Sequence, residues 1–363
     1  MGTFVNFCAG ASFDDLPGKY VDAILFNAPN AFATDKRKED TRRLMEKSQA
    51  SKVMLDSGGF QLLNAEGKEK KISFDSTRPL KNSGKLLNLT PGHVVQAACE
   101  LNPDIMVALD FPIKTISDPK GQEEEFRKKL LYNTSWAQKT AELRHKLCPH
   151  IALFIPLQAY TIKQMDCFLE SIKDTQFDGI SMPTRNLSLS TLTVFLTRLY
   201  QMGIKNVHLL GVAAFFKLAI AAYMARHFFE WVSIDSTSWK VKARYNEYAD
   251  PDNLSAHYSK PGAIIDGSIT NDCPCPWCQG RSFTYIQRLP YSDRALMLKC
   301  HNYWVLNKAM ADLYDNARTV VDLIGYLEKK GNRAKDIEEL GRALSLVDAL
   351  RDTDIGLVGN LLS

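Results

Sequence analysis

The feature that most constrains this chain is a recurrence. Short apolar runs rich in Val, Ile and Leu return every few dozen residues: "AILFNAP" (23–29), "KVMLDSGG" (52–59), "DIMVALDF" (104–111) and "IALFIPLQA" (151–159), then "GISMP" (179–183), "NVHLLGV" (206–212), "WVSID" (231–235) and "AIIDG" (263–267). Most are separated by segments of helical period, such as "FRKKLLYNTSWAQKTAELRHKL" and "IKQMDCFLESIK". Continuous apolar strands alternating with amphipathic helices indicate a parallel sheet with both faces covered. Eight such runs within about 250 residues predict an α/β fold of the (β/α)8 TIM barrel type. A doubly wound open sheet is the competitor, but no G-x-G-x-x-G follows the first run.

The ends of the runs carry more chemistry than their middles. Four close on a polar group: Asp56, Asp110, Gln158 and Asp235. An Asp after a strand often just starts a turn or caps a helix. Four at matching positions are different, because the C-terminal strand ends of a barrel share one mouth, and that mouth is its catalytic face. The polar, basic segment 60–90, "FQLLNAEGKEKKISFDSTRPLKNSGKLLNLT", interrupts the alternation and reads as a long loop over the mouth. Beyond residue 310 the pattern is helical to the end. The predicted organisation is a barrel over 1–310, with an inserted metal-binding subdomain at about 268–305, and a helical segment over 311–363 packed on it.

Three cysteines are bunched in "CPCPWCQG", at 273, 275 and 278, while the other five are scattered. Three thiolates with a fourth ligand satisfy tetrahedral Zn²⁺ and leave no open position for chemistry, which defines a structural clamp. The fourth ligand lies in "LKCHNYWVLNKAM", in what reads as the start of a helix, where both Cys300 and His301 are available. The cysteine spacing does not suit a disulfide framework. No apolar run reaches membrane-spanning length, and "MGTFVNFCAG" has neither a charged signal-peptide n-region nor a myristoylation pattern, so a cytoplasmic protein without a membrane partner is expected. The net charge of +4 neither demands nor excludes nucleic acid, since local clustering decides.

Taken together, these motifs resemble the tRNA-guanine transglycosylase superfamily. "DSGGFQ" (56–61) matches its hallmark, "MVALDF" its base-binding strand ending in Asp, "LFIPLQA" the strand carrying its base-binding Gln, and "CPCPWC" with a downstream His its zinc site. The resemblance covers about residues 20–315. It implies a zinc-containing (β/α)8 barrel that exchanges guanine in nucleic acid for a 7-deazaguanine, and it selects Cys273, Cys275, Cys278 and His301 as the zinc ligands. It further implies Asp235 as nucleophile, Asp56 as general acid/base, and Ser57, Asp110 and Gln158 as base-binding residues, with Gly58 and Gly59 letting backbone approach the ligand. The chemistry needs two carboxylates, one to trap an oxocarbenium-like sugar and one to move the base's proton.

Two stretches depart from the tRNA enzymes. After the fifth strand, where those enzymes have Gly-Gly-Leu-Ala-Val-Gly-Glu, this chain has "GISMPTRNLS", which puts Thr184 and Arg185 at base-reading positions; Arg185 suits either a phosphate or an incoming nitrile. After the nucleophile, "STSWKVKARYNEY" replaces their Pro-Thr-Arg-x-Gly-Arg segment. Both changes fall where the substrate is read, a pattern similar to the DNA-modifying branch (DpdA-type), which inserts 7-cyano-7-deazaguanine (preQ0) into DNA. A tRNA substrate is the alternative, and a non-catalytic nucleic-acid-binding barrel subunit a second one. Candidate backbone contacts are Lys240, Lys242 and Arg244 with Trp239 stacking on bases, and Lys70, Lys71 and Arg78 in the long loop. A homodimer and partner proteins of a DNA-modification system are compatible with this reading.

Overall fold

The computed structural model describes residues 1–12, 21–212, 214–251, 257–258, 273–279, 281 and 283–351. Eight parallel strands close a barrel: β1 (Thr3–Ala9), β2 (Ala23–Asn27), β3 (Lys52–Asp56), β4 (Ile105–Val107), β5 (Ala152–Pro156), β6 (Gly179–Pro183), β7 (Asn206–Leu210) and β8 (Trp231–Ser236). Seven of the eight expected runs are barrel strands. The eighth strand is Thr3–Ala9, and 263–267 lies outside the described residues. Thr3–Ala9 escapes a reading by apolar runs because Thr3 and Asn6 break its sequence. It closes the ring by pairing Cys8 with Ile24 on one side and Phe7 with Asp235 on the other.

The barrel interior is filled rather than hollow, with Phe7, Ala23, Met54, Ile105, Val107 and Phe154 in one buried cluster. Outside it pack the helices α1 (Asp35–Ser48), α2 (Gly59–Gly67), α3 (Pro91–Leu101), α4 (Pro119–Leu147), α5 (Ile162–Ser171), α6 (Leu189–Gln201) and α7 (Phe215–His227). α7 is apolar almost all round, with Leu218, Ala219, Ile220, Ala221, Ala222, Met224 and Ala225 fully buried. Such a helix must be covered on both sides. The cover comes from α9 (Tyr291–Asn316) and α11 (Ala334–Leu350), joined by α10 (Val320–Lys329). The expected helical C-terminal segment is therefore present over its described residues, but α9 runs continuously through position 310. His301 lies well inside α9, not at its start.

The segment after α2 is also more ordered than a loop. Lys71–Ser73, Lys81–Asn82 and Leu86–Asn88 form a three-stranded sheet. Asn88 holds it together: its amide nitrogen donates to the carbonyls of Asp75, Arg78 and Pro79, and its oxygen accepts from the Asp75 N–H. Asn82 donates to Asn30 just beyond β2, and Phe74 packs against Phe111 just beyond Asp110, which sets the sheet at the mouth end. No helix among the described residues is long and apolar enough to cross a membrane.

Candidate active site and metal centre

The four polar strand ends stand at the mouth. Asp56 ends β3 beside Asn27, the last residue of β2, because the two are register partners. Asn27 Nδ2 donates to Asp56 Oδ2 at 2.7 Å and to Gln61 Oε1 at 2.9 Å. Burial raises the Asp56 pKa above its ordinary value; the Asn27 hydrogen bond opposes this and the negative charge of Asp235 reinforces it.

Asp110 is buried in a trio. Ser57 Oγ donates to its Oδ1 at 3.1 Å, and Gln158 Nε2 to its Oδ2 at 2.6 Å. Gln158 Oε1 accepts from the Ile113 N–H at 3.3 Å, which fixes the amide so that its nitrogen faces Asp110. Burial, then the charge of Asp56, push the Asp110 carboxyl up to about 7. The turn after Asp110 is clamped from α4, where Asn133 exchanges hydrogen bonds with the Phe111 backbone. The buried ammonium of Lys129 reaches Pro112 O, Glu66 and Glu125.

The protein's own packing leaves no room for a side chain at either glycine. Gly58 is left-handed at φ 94°, and a Cβ there would fall 2.3 Å from Pro29 Cγ. A Cβ on Gly59 would fall 2.1 Å from Asp110 Oδ1. Phe60 follows them and is 56% exposed, an aromatic face at the first turn of α2.

Asp235 is held on β8 by backbone on two sides, with Gly211 N–H donating to its Oδ1 at 2.9 Å and Val212 N–H to its carbonyl at 2.9 Å. His208 Nε2 lies 3.4 Å from the same Oδ1.

Thr184 is fully buried, and its hydroxyl donates to Leu210 O at 3.2 Å, so its side chain fixes its own turn rather than facing a base. Arg185 is exposed. Lys217 Nζ donates to the carbonyls of Thr184 at 2.6 Å and Arg185 at 3.2 Å, and burial lowers its pKa.

The basic residues separate by exposure. Trp239 is 1% exposed and packs edge-on against Tyr303, which corrects its expected role as a stacking platform. Amphipathic winding of α8 (Ser238–Arg244) turns it into the core. Arg244 and Tyr245 are exposed at the end of α8; Lys240 is half-buried and donates to Gly10 O, and Lys242 is half-buried with its pKa lowered by burial. In the mouth sheet Lys71 is exposed, Lys70 donates to Ser83 O, and Arg78 pairs with Asp75.

Asn27, Gln61, Lys217 and His208 are missing from the sequence-level set. Asn27 could have been found, since it too is a polar strand end. The others depend on contacts between separate loops or strands.

The cysteine cluster assembles as expected. Cys273, Cys275, Cys278 and His301 are buried, with their ligating atoms all within 4.8 Å of one another. His301 Nδ1 lies 3.5, 3.5 and 3.3 Å from the three sulfurs. Tetrahedral ligands with Zn–S of about 2.3 Å and Zn–N of about 2.0 Å stand roughly 3.5 Å apart, so the set fits zinc. His301 Nε2 meets Ala249 O at 2.7 Å, which leaves Nδ1 facing the three sulfurs, and Tyr248 stacks on the ring at 3.8 Å. Cys300 is buried but outside the set.

Residues 21–192 match the model of the queuine tRNA-ribosyltransferase (TGT) family. Comparison with curated proteins returns no match. With the closed parallel barrel and a Cys3His cluster able to hold zinc, that match supports the tRNA-guanine transglycosylase superfamily, whose enzymes are base-exchanging glycosyltransferases.

Proposed function

We propose that this enzyme exchanges guanine in DNA for 7-cyano-7-deazaguanine (preQ0) through a covalent aspartyl-glycosyl intermediate. The observation that carries the chemistry is the meeting of two carboxylates, Asp56 and Asp235, beside the Asp110–Gln158–Ser57 trio. Asp235 attacks the anomeric carbon as the C1′–N9 bond breaks, and the electron pair leaves with guanine. Asp56, its pKa raised by burial and by the charge of Asp235, holds the proton that the departing purine takes up. The incoming base gives its N9 proton to the Asp56 carboxylate, and N9 displaces Asp235, so two inversions retain the sugar configuration.

Asp110 accepts from the ring and amino N–H groups of a guanine-like edge, while the fixed Gln158 amide donates to its carbonyl. Phe60 offers an exposed face for stacking on the heterocycle. The Cys273, Cys275, Cys278 and His301 cluster would hold a structural Zn²⁺ that ties the segment after the nucleophile to α9.

Support for DNA comes from the two stretches that depart from the tRNA enzymes, 183–185 and 236–248, both next to the site. A duplex would flip its target nucleotide into the mouth, at about a few kcal/mol for unstacking, with Arg244, Lys71 and the ring of Tyr245 as accessible contacts. The second reading is a tRNA substrate, favoured by the name of the matching family. Radiolabelled guanine or preQ0 offered with plasmid DNA or with tRNA separates the two. Label in DNA is the expected result; label in tRNA alone would overturn the DNA assignment.

A further inference from the structure

We infer that His208 is a positioning residue for Asp235. Its Nε2–H, together with the Gly211 N–H, engages Oδ1 of the carboxylate and leaves Oδ2 to attack the sugar. The inference rests on the reading of Asp235 as nucleophile.

His208 sits in the middle of β7 with its ring fully buried, opposite Ser233 in the strand register. Ser233 and Asp235 lie two residues apart on β8 and so project to the same face. The imidazole spans them: Nδ1 is 2.9 Å from Ser233 Oγ, and Nε2 is 3.4 Å from Asp235 Oδ1. Phe7 closes the remaining side with an edge-on contact, centroids 5.9 Å apart. Nε2 is a buried nitrogen with no hydrogen bond of good geometry among the described residues. A buried polar atom of this kind calls for an explanation, and the nearest acceptor is the carboxylate of the candidate nucleophile. Hydrogen bonds of catalytic groups are often long before substrate arrives and tighten in the complex.

The tautomer follows from Ser233. Among the described residues its hydroxyl meets only Nδ1, so Ser233 donates there and the ring proton resides on Nε2. Gly211 N–H already addresses Oδ1 at 2.9 Å. Two donors on one oxygen fix the carboxylate's rotation about its Cβ–Cγ bond, which leaves Oδ2 as the oxygen with an open lone pair. The donor arrangement thus chooses the attacking atom. A residue merely filling the barrel would pack against Phe7 equally well as a phenyl ring.

The test uses the full-length protein, with plasmid DNA and tRNA as parallel substrates. The readout is the single-turnover rate of an adduct that survives denaturation. His208→Phe is expected to slow adduct formation by about 10–100-fold with little change in KM for the free base, and His208→Gln, which keeps a donor near Nε2, to recover most of the loss. Nitrogen NMR of wild-type protein carrying ¹⁵N-histidine is expected to show the Nε2–H form for the resonance that His208→Gln removes; this needs no folded phenylalanine variant. An Nδ1–H form, or wild-type adduct rates in both variants while Asp235→Ala is inactive, would overturn this inference alone. Undiminished exchange by Asp235→Ala would overturn the nucleophile assignment, and the inference with it.

Discussion

The barrel mouth and the Cys–His cluster both bury titratable groups, and they treat them oppositely. In the cluster every ligating atom points inward, and the second nitrogen of His301 is taken by the Ala249 carbonyl. Four donors would complete a tetrahedron around Zn²⁺ and leave nothing over to react. At the mouth the polar groups are held but not exhausted. Asp235 is engaged through Oδ1, and Asp56 and Asp110 have their carboxyls pushed up by burial and by neighbouring negative charge. Unused bonding capacity in a buried site is what chemistry requires, and it is held there at a cost in stability that the cluster does not bear.

The comparison breaks most sharply at Asp235, the proposed nucleophile. Asp235→Ala is expected to lower exchange by at least about 10⁴-fold, and to abolish covalent trapping, while thermal melting changes little. Exchange surviving in this variant would show that the spare carboxylate capacity at the mouth is elsewhere.

The cluster should answer in the opposite currency. Cys278→Ser, or prolonged chelation, is expected to lower Tm by about 10 °C, since bound metal contributes folding free energy. An unchanged Tm with full metal removal would show that the four ligands do not clamp the fold.

The smallest effect sharpens the mouth itself. The Asp110 carboxyl is raised from 3.8 to about 7, so its ionised form, the proposed acceptor for a guanine edge, falls away below that pH. Affinity for the free base should weaken about tenfold per unit below pH 7. The linkage has the matching sign. The folded chain binds this proton more tightly than the unfolded chain, so stability contributed by the protonated carboxyl is present at low pH and lost as pH rises through about 7. Asp110→Asn should therefore raise Tm at pH 8 while weakening base binding. A base affinity that is flat from pH 5.5 to 8, measured by calorimetry, would remove Asp110 from the base edge.

Much of this was legible before folding. Strands buried on both faces must be continuously apolar, so seven of the eight barrel strands stand out in the sequence. A carboxylate at the end of such a strand has nowhere to go but the rim. The cysteine spacing brings three thiols together locally, and the loop needs only one more ligand. Trp239 misleads for the same local reason: among Lys240, Lys242 and Arg244 it looks like a stacking residue, and only Tyr303, on a helix far along the chain, makes it core.

By itself the sequence determined the alternation of strands and helices, the carboxylates at the strand ends and the clustered Cys273, Cys275 and Cys278, because each is written in short-range pattern. Only the tertiary structure decided that Thr3–Ala9 closes the ring, that Gly59 gives way to Asp110, that Gln158 turns its nitrogen inward, and that His208 reaches Asp235. Those facts depend on strands and loops meeting across the closed barrel, as Phe7 meets Asp235 in register, and no local pattern encodes which distant partner completes a hydrogen bond or fills a void.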